Sequence, residues 1–189
     1  MFILYAVLIG CLVGLMLGGR PAGLGSLQFR FAWLAVLGFG VQVVIFSGPV
    51  SDRIGGLGVP AYVASTGLVF FVLLVNIRIP GLPIVAVGAA CNLIAIVANG
   101  GYMPASVGAL AAAGKTASPG YSNSALVADP ALAPLTDQFA LPVWLPFSNV
   151  FSVGDVLIGL GIALAIVVAM RRPPAPNDAA GGRSDPATG

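Results

Sequence analysis

The chain is built from long, unbroken apolar runs joined by glycine- and proline-rich connections. Five runs stand out, at residues 2–17, 31–47, 61–77, 82–98 and 153–170. Fully apolar runs show neither the 3.6 nor the 2.0 period, so periodicity does not separate helix from strand. Length does. Each run has about 16–18 residues, near the lower limit for a helix that crosses a bilayer, whereas barrel strands need about ten and alternate in polarity. The pattern predicts an all-α polytopic membrane protein, a bundle of five transmembrane helices.

The connections divide into short links and one long segment, 99–152. Long segments in compact proteins carry function or structure of their own. Within it, "SVGALAAAG" predicts a short helix at about 106–113, with Ser106 as cap and Gly114 as stop. "ALPVWLPFSNVF", 140–151, is apolar, aromatic and broken by two prolines, which suits a membrane interface and the indole of Trp144. The segment is predicted to form an extracytoplasmic cap. Residues 171–189, rich in Pro, Gly and Ala, are predicted to be a disordered cytoplasmic tail.

The first run reads as a retained helix. It has no positive n-region and no small-residue cleavage site before Arg20. "LIGC", 8–11, resembles a lipoprotein box, but the apolar run continues past the cysteine.

Charge then sets an orientation. With five spans, Arg20, Arg30, Arg78, Arg171, Arg172 and Arg183 share one face. Arg53 and Lys115 share the other with Asp52, Asp129 and Asp137. The positive-inside rule places the N-terminus outside and the C-terminus in the cytoplasm.

Composition narrows the chemistry. The chain is 58% hydrophobic and 7% charged, where a soluble domain is about a quarter charged. A net charge of +2 without a basic stripe excludes a nucleic-acid partner. There is no histidine and no glutamate, which removes the usual zinc ligands and the commonest general base. No metal, cofactor or catalytic residue is expected. Cys11 and Cys91 lie inside apolar runs and read as small hydrophobes.

"GALAAAGKT", 108–116, superficially matches a phosphate-binding loop. Five residues rather than four separate Gly108 from Gly114, and no strand precedes them, so no nucleotide is expected. Gly10, Gly14 and Gly18 recur every four residues on one helix face, as do Gly161, Ala165 and Ala169 on another. This small-xxx-small pattern permits close helix approach, within the chain or between copies. Gln42 and Asn92 are polar groups deep in the runs, along with Ser65 and Thr66. They serve either as interhelical hydrogen-bond partners or as lining of a solute path. No charged residue lies near the middle of any run, which weighs against a proton-coupled carrier.

Asp155 follows Ser152 by three residues at the start of the fifth run, the spacing of a helix cap. Its alternative role is a binding carboxylate at the mouth of the bundle. Alone, it cannot supply the paired acid and base of a hydrolase. "ANGGYMPAS", 98–106, ends the fourth run. Gly100 and Gly101 suit a chain reversal and Pro104 blocks helix resumption. The stretch is either a helix stop or part of an outer pocket formed by Asn99, Gly100, Gly101, Tyr102, Met103, Pro104, Asn149, Ser152 and Asp155.

"NGGYMPAS" and "ALAAAG", followed by "LPFSNVFSVGDVLIGLG", resemble an uncharacterised bacterial family of small multi-span membrane proteins, domain of unknown function 5317. The resemblance runs from the first helix to about residue 170, with Gly108 departing from a polar residue in the short loop helix. It implies a membrane protein and supplies no site residues. The expected function is a non-enzymatic envelope scaffold or accessory subunit that binds lipid, another membrane protein or itself. The alternatives are a transporter or channel for a small neutral solute and, third, an outward-facing enzyme acting on a lipid-linked substrate.

Overall fold

The computed structural model describes residues 2–115 and 124–172. The predicted tail beyond 172 lies outside the described residues. The protein is mostly helical. Its helices are α1 (Phe2–Met16), α2 (Ala32–Ile45), α3 (Gly48–Ser51), α4 (Gly58–Val75), α5 (Leu82–Ala98), α6 (Val107–Ala112) and α7 (Val153–Met170). Two helical stretches, Gly55–Val75 and Val153–Met170, are long and apolar enough to cross a membrane, and α1, α2 and α5 are shorter apolar helices.

Local chemistry sets the helix ends. Gly18, at φ +77°, turns the chain after α1. Gly81, at φ +91°, precedes α5, and Pro83 occupies its first turn, where a missing N–H is not needed. α4 begins three residues before the expected run, continuing a 3-10 turn at Gly55–Leu57. At the start of α7, the Ser152 side chain accepts from Asp155 N–H, and the Asp155 carboxylate accepts from Ser152 N–H, a complete capping box.

The long helices pack in the order α1–α7–α5–α4–α2. The last of these helices in sequence therefore lies inside the row, between α1 and α5, and α1 and α2, the first two long helices in sequence, are its ends. Small residues bring α7 close to both neighbours. A Cβ on Gly88 of α5 would lie 2.9 Å from Ile158 N on α7, and one on Gly161 would lie 2.6 Å from Gly81 O. On the other side, a Cβ on Gly10 of α1 would lie 2.9 Å from Ala163 Cα. α7 overshoots α5 and is covered at its far end by the 3-10 turn Pro21–Ser26, where Arg20 N–H donates to Met170 O at 2.7 Å.

The described residues of the long connection, 99–115 and 124–152, pack over one end of the helices. Two short ladders organise this cap: β1 (Met103–Pro104) runs parallel to β2 (Ser124–Ala125), and β3 (Phe139–Ala140) pairs antiparallel with β4 (Val150–Phe151). The cap has a small core of its own, Ala105, Ala109, Leu110, Ala113 and Val150. A second cluster, Ile45, Tyr62, Ala95, Ile96 and Met103, joins the cap to α2, α4 and α5.

Candidate functional site

A cavity of about 540 Å³ opens beneath the cap. α1 contributes Phe2, Ile3 and Leu4, and α2 contributes Gln42, so both ends of the helical row line it. The cap adds Met103, Val150 and Phe151. Six residues form its polar lining: Gln42, Tyr62, Asn92, Asp137, Asn149 and Asp155.

Asn92 and the α7 cap form one closed hydrogen-bonded group. Asn92 Nδ2 donates to Asp155 Oδ1 at 2.9 Å, and Ser152 Oγ donates to Asn92 Oδ1 at 2.8 Å. Asp155 N–H donates to Ser152 Oγ, and Ser152 N–H to Asp155 Oδ2, each at 3.0 Å. Ser152 is fully buried. Asp155 thus caps α7 and also lines the cavity. Gly154 makes room for the arrangement, because a Cβ there would collide with the Asn92 amide.

Asp137 is the residue that sequence reasoning missed as a site group. The single-carboxylate view of the mouth is corrected, because Asp137 and Asp155 face one cavity. The stretch "YMPAS" is what places it. Asp137 N–H donates to Pro104 O at 2.9 Å, Ser106 N–H donates to Asp137 O at 3.0 Å, and Ala105 bridges the same strand. Both backbone groups of Asp137 are occupied, and its carboxyl makes no hydrogen bond among the described residues. Burial, reinforced by the nearby Asp155 carboxylate, raises the Asp137 pKa from 3.8 to about 7. The only advance signal was its place among the few acids of the long connection.

The other expected pocket residues divide. Met103 and Asn149 line the cavity, and Asn149 Oδ1 accepts from Lys115 Nζ at 2.8 Å. Asn99, Gly100, Gly101 and Pro104 do not line it. Asn99 caps α5 and clamps the cap instead, donating to Ala95 O and Ala131 O and accepting from Ala131 N–H. Gly100 and Gly101, at φ +71° and +93°, reverse the chain. Pro104 is buried in β1, and Tyr102 is half-buried beside it.

Gln42 and Asn92 both reach the cavity, and Gln42 also donates to Thr66 Oγ1 at 3.3 Å. Gly10, Gly14, Gly161 and Ala165 lie in the contacts of α7 with its neighbours. Gly18 does not. Nothing lies within 4 Å of a Cβ built there, and its role is the turn after α1. Among the described residues, no three of His, Cys, Asp or Glu come together as a metal site.

Fold and site define a mostly helical protein, with two helices apolar and long enough to cross a membrane and a capped polar cavity. The chain belongs to a family of unknown function, DUF5317, whose profile matches residues 26–167. No curated protein and no solved structure matches it.

Proposed function

We propose that all five long helices span a bacterial plasma membrane, with residues 99–152 outside and the C-terminus in the cytoplasm. In that setting the protein is a non-enzymatic envelope scaffold or accessory subunit that holds a lipid-like amphiphile. The apolar faces left open on the helices support the membrane setting: Met16, Val36 and Val43 are 85%, 72% and 72% exposed. In water such faces mark unfilled interfaces, whereas in a bilayer lipid covers them.

The observation that carries the ligand is the composition of the cavity. Its α1 residues, Phe2, Ile3 and Leu4, are apolar, while the rest of the lining carries amides and carboxyls. That division suits a molecule with an apolar body and a hydrogen-bonding head, and the volume is typical of small-molecule sites. The glycine-close crossing of α5 and α7 leaves no passage between these two helices, which favours holding a ligand over conducting one.

Native mass spectrometry of the gently extracted protein tests the binding. A retained mass in the lipid range, lost in Leu4→Trp, is the expected result. An empty protein across mild detergents would sink the reading. The two carboxyls on one cavity also favour the enzymatic alternative, with Asp137 as acid and Asp155 as base. Recovery of a chemically altered ligand after incubation would select it over simple binding. For the orientation, a single cysteine at Lys115 should react with an impermeant thiol reagent on intact cells, and one at Arg171 only after permeabilisation.

A further inference from the structure

The two glycines of "GFG", residues 38–40 on α2, serve different neighbours. Gly38 belongs to the crossing with α4, where a Cβ would lie 2.9 Å from Val69 Cγ2 and 3.0 Å from Ser65 O. Gly40 belongs to no such crossing, since nothing lies within 4 Å of a Cβ built there. It is instead the notch of a groove of about 450 Å³ lined by Val36, Leu37, Gly40, Val41, Val44 and Ile45. All six belong to α2, and none has a polar side chain. At one end Ile45 is buried in the cluster with Met103 that joins α2 to the cap. The groove therefore begins beside the cap and runs away from it along the helix.

Its length and its pattern of small residues decide what fits. From Val36 to Ile45 the helix rises roughly 14 Å, about half of the ~30 Å hydrocarbon core of a bilayer. That is the depth of one leaflet. A partner helix would cross both leaflets, and its close approach calls for small residues four apart. The positions four before and four after Gly40 are Val36 and Val44, both β-branched and exposed. Gly40 is thus a single notch between two ridges, a shape that grips a hydrocarbon chain and holds off a second helix backbone.

We propose that this groove seats one acyl chain of a membrane lipid from the leaflet on the cap side. The proposal rests on the membrane setting argued above and adds a site separate from the cavity. Val41 and Ile45 form the floor, and Val36 and Val44 stand beside the notch. A chain lying there touches side chains on more than one side, and many weak dispersion contacts add up. With no polar side chain in the lining, the groove recognises the hydrocarbon and not the headgroup.

The test uses the full chain in phosphatidylcholine vesicles that contain a trace of phosphatidylcholine with a photoactivatable diazirine in one acyl chain. Peptide mass spectrometry maps the adducts. The control is the open face of α1, where Leu4, Leu8 and Leu12 are similarly exposed and put a leucine at every fourth position. Labelling within 36–45 should exceed labelling within 4–12 at least about fivefold, because a gripped chain makes several times the contacts of one on a flat face. Gly40→Leu fills the notch, meets no neighbour and improves helix propensity, so it should fold and lose the excess. Equal labelling of the two faces would overturn the acyl site and leave the membrane setting intact. No lipid adduct on either face would overturn both. Depleted labelling at 36–45, with ready disulfide formation between Val44→Cys copies, would make the groove a contact between copies and overturn the lipid. An excess that survives in Gly40→Leu would overturn the groove as its cause.

Discussion

Asn92 and Asp155 are 63 residues apart in the chain, yet the amide of one donates to the carboxylate of the other at 2.9 Å. The bond joins the middle of α5 to the first turn of α7 and closes a ring through Ser152. One cluster thereby caps a helix, ties two helices together and presents a carboxylate to the cavity.

Removing Asn92 should uncouple these roles. Asn92→Leu leaves the Ser152 hydroxyl and one Asp155 oxygen without their partner, and an orphaned buried polar group costs ~1–3 kcal/mol. We expect a clearly lower melting temperature in detergent, with Asp155→Asn milder because an asparagine still accepts at one position of the box. Equal melting of wild type and Asn92→Leu would remove the ring from the account of stability.

The α5–α7 crossing predicts a contrast between glycines. A Cβ on Gly88 meets Ile158 N at 2.9 Å and the Leu157 side chain at 2.9 Å, so Gly88→Ala must push the helices apart, at a cost of ~1–3 kcal/mol. Gly67, inside α4, has nothing within 4 Å. Gly67→Ala should be neutral or stabilising by up to ~1 kcal/mol through helix propensity. Thermal unfolding of the two variants side by side gives the comparison, and destabilisation by both in equal measure would contradict the close crossing.

Asp137 predicts a pH dependence of definite sign. Its pKa is raised from 3.8 to about 7, so between these values the folded protein binds more protons at this site than the unfolded chain. Stability therefore falls as pH rises through this window, and the loss is complete above about 7. The size is at most ~4 kcal/mol, at 1.36 kcal/mol per pH unit. Melting temperatures from pH 5 to 8 should show the decline, and Asp137→Asn should flatten it. A profile that is level, or that rises with pH, in the wild type would refute the buried carboxyl as its cause.

Asn99→Ala should loosen the cap without touching the cavity lining. It removes bonds to Ala95 O and to both backbone groups of Ala131. Hydrogen exchange should quicken around 131 and at the end of α5, while exchange in α1 stays as in the wild type. Unchanged protection at 131 would show that the cap is held elsewhere.

The helices were legible in the sequence because apolar run length and end signals are local. The run at 82–98 coincides with α5 and that at 153–170 with α7, and Ser152 with Asp155 spells a cap. The site was legible only in part. Asn92, Gln42, Asn149 and Asp155 announce themselves as polar groups in or beside apolar runs. Asp137 does not. Its position depends on a bridge to Ala105 and bonds to Pro104 and Ser106, more than thirty residues earlier, and no periodicity encodes such a pairing. Gly18 fits the spacing of Gly10 and Gly14, yet α1 ends at Met16, so spacing alone overstated the packing face.

The position of α7 between α1 and α5 also bears on biogenesis. A ribosome delivers α1 first and α7 last, yet α7 is the neighbour against which the glycine face of α1 packs. Until translation reaches residue 170, Gly10 and Gly14 lack their seat, and a nascent chain stopped at 152 carries every wall of the cavity except the one that joins its two halves. The bundle therefore closes only once α7 has been made, and a product terminated before residue 153 leaves the glycine face of α1 without its partner.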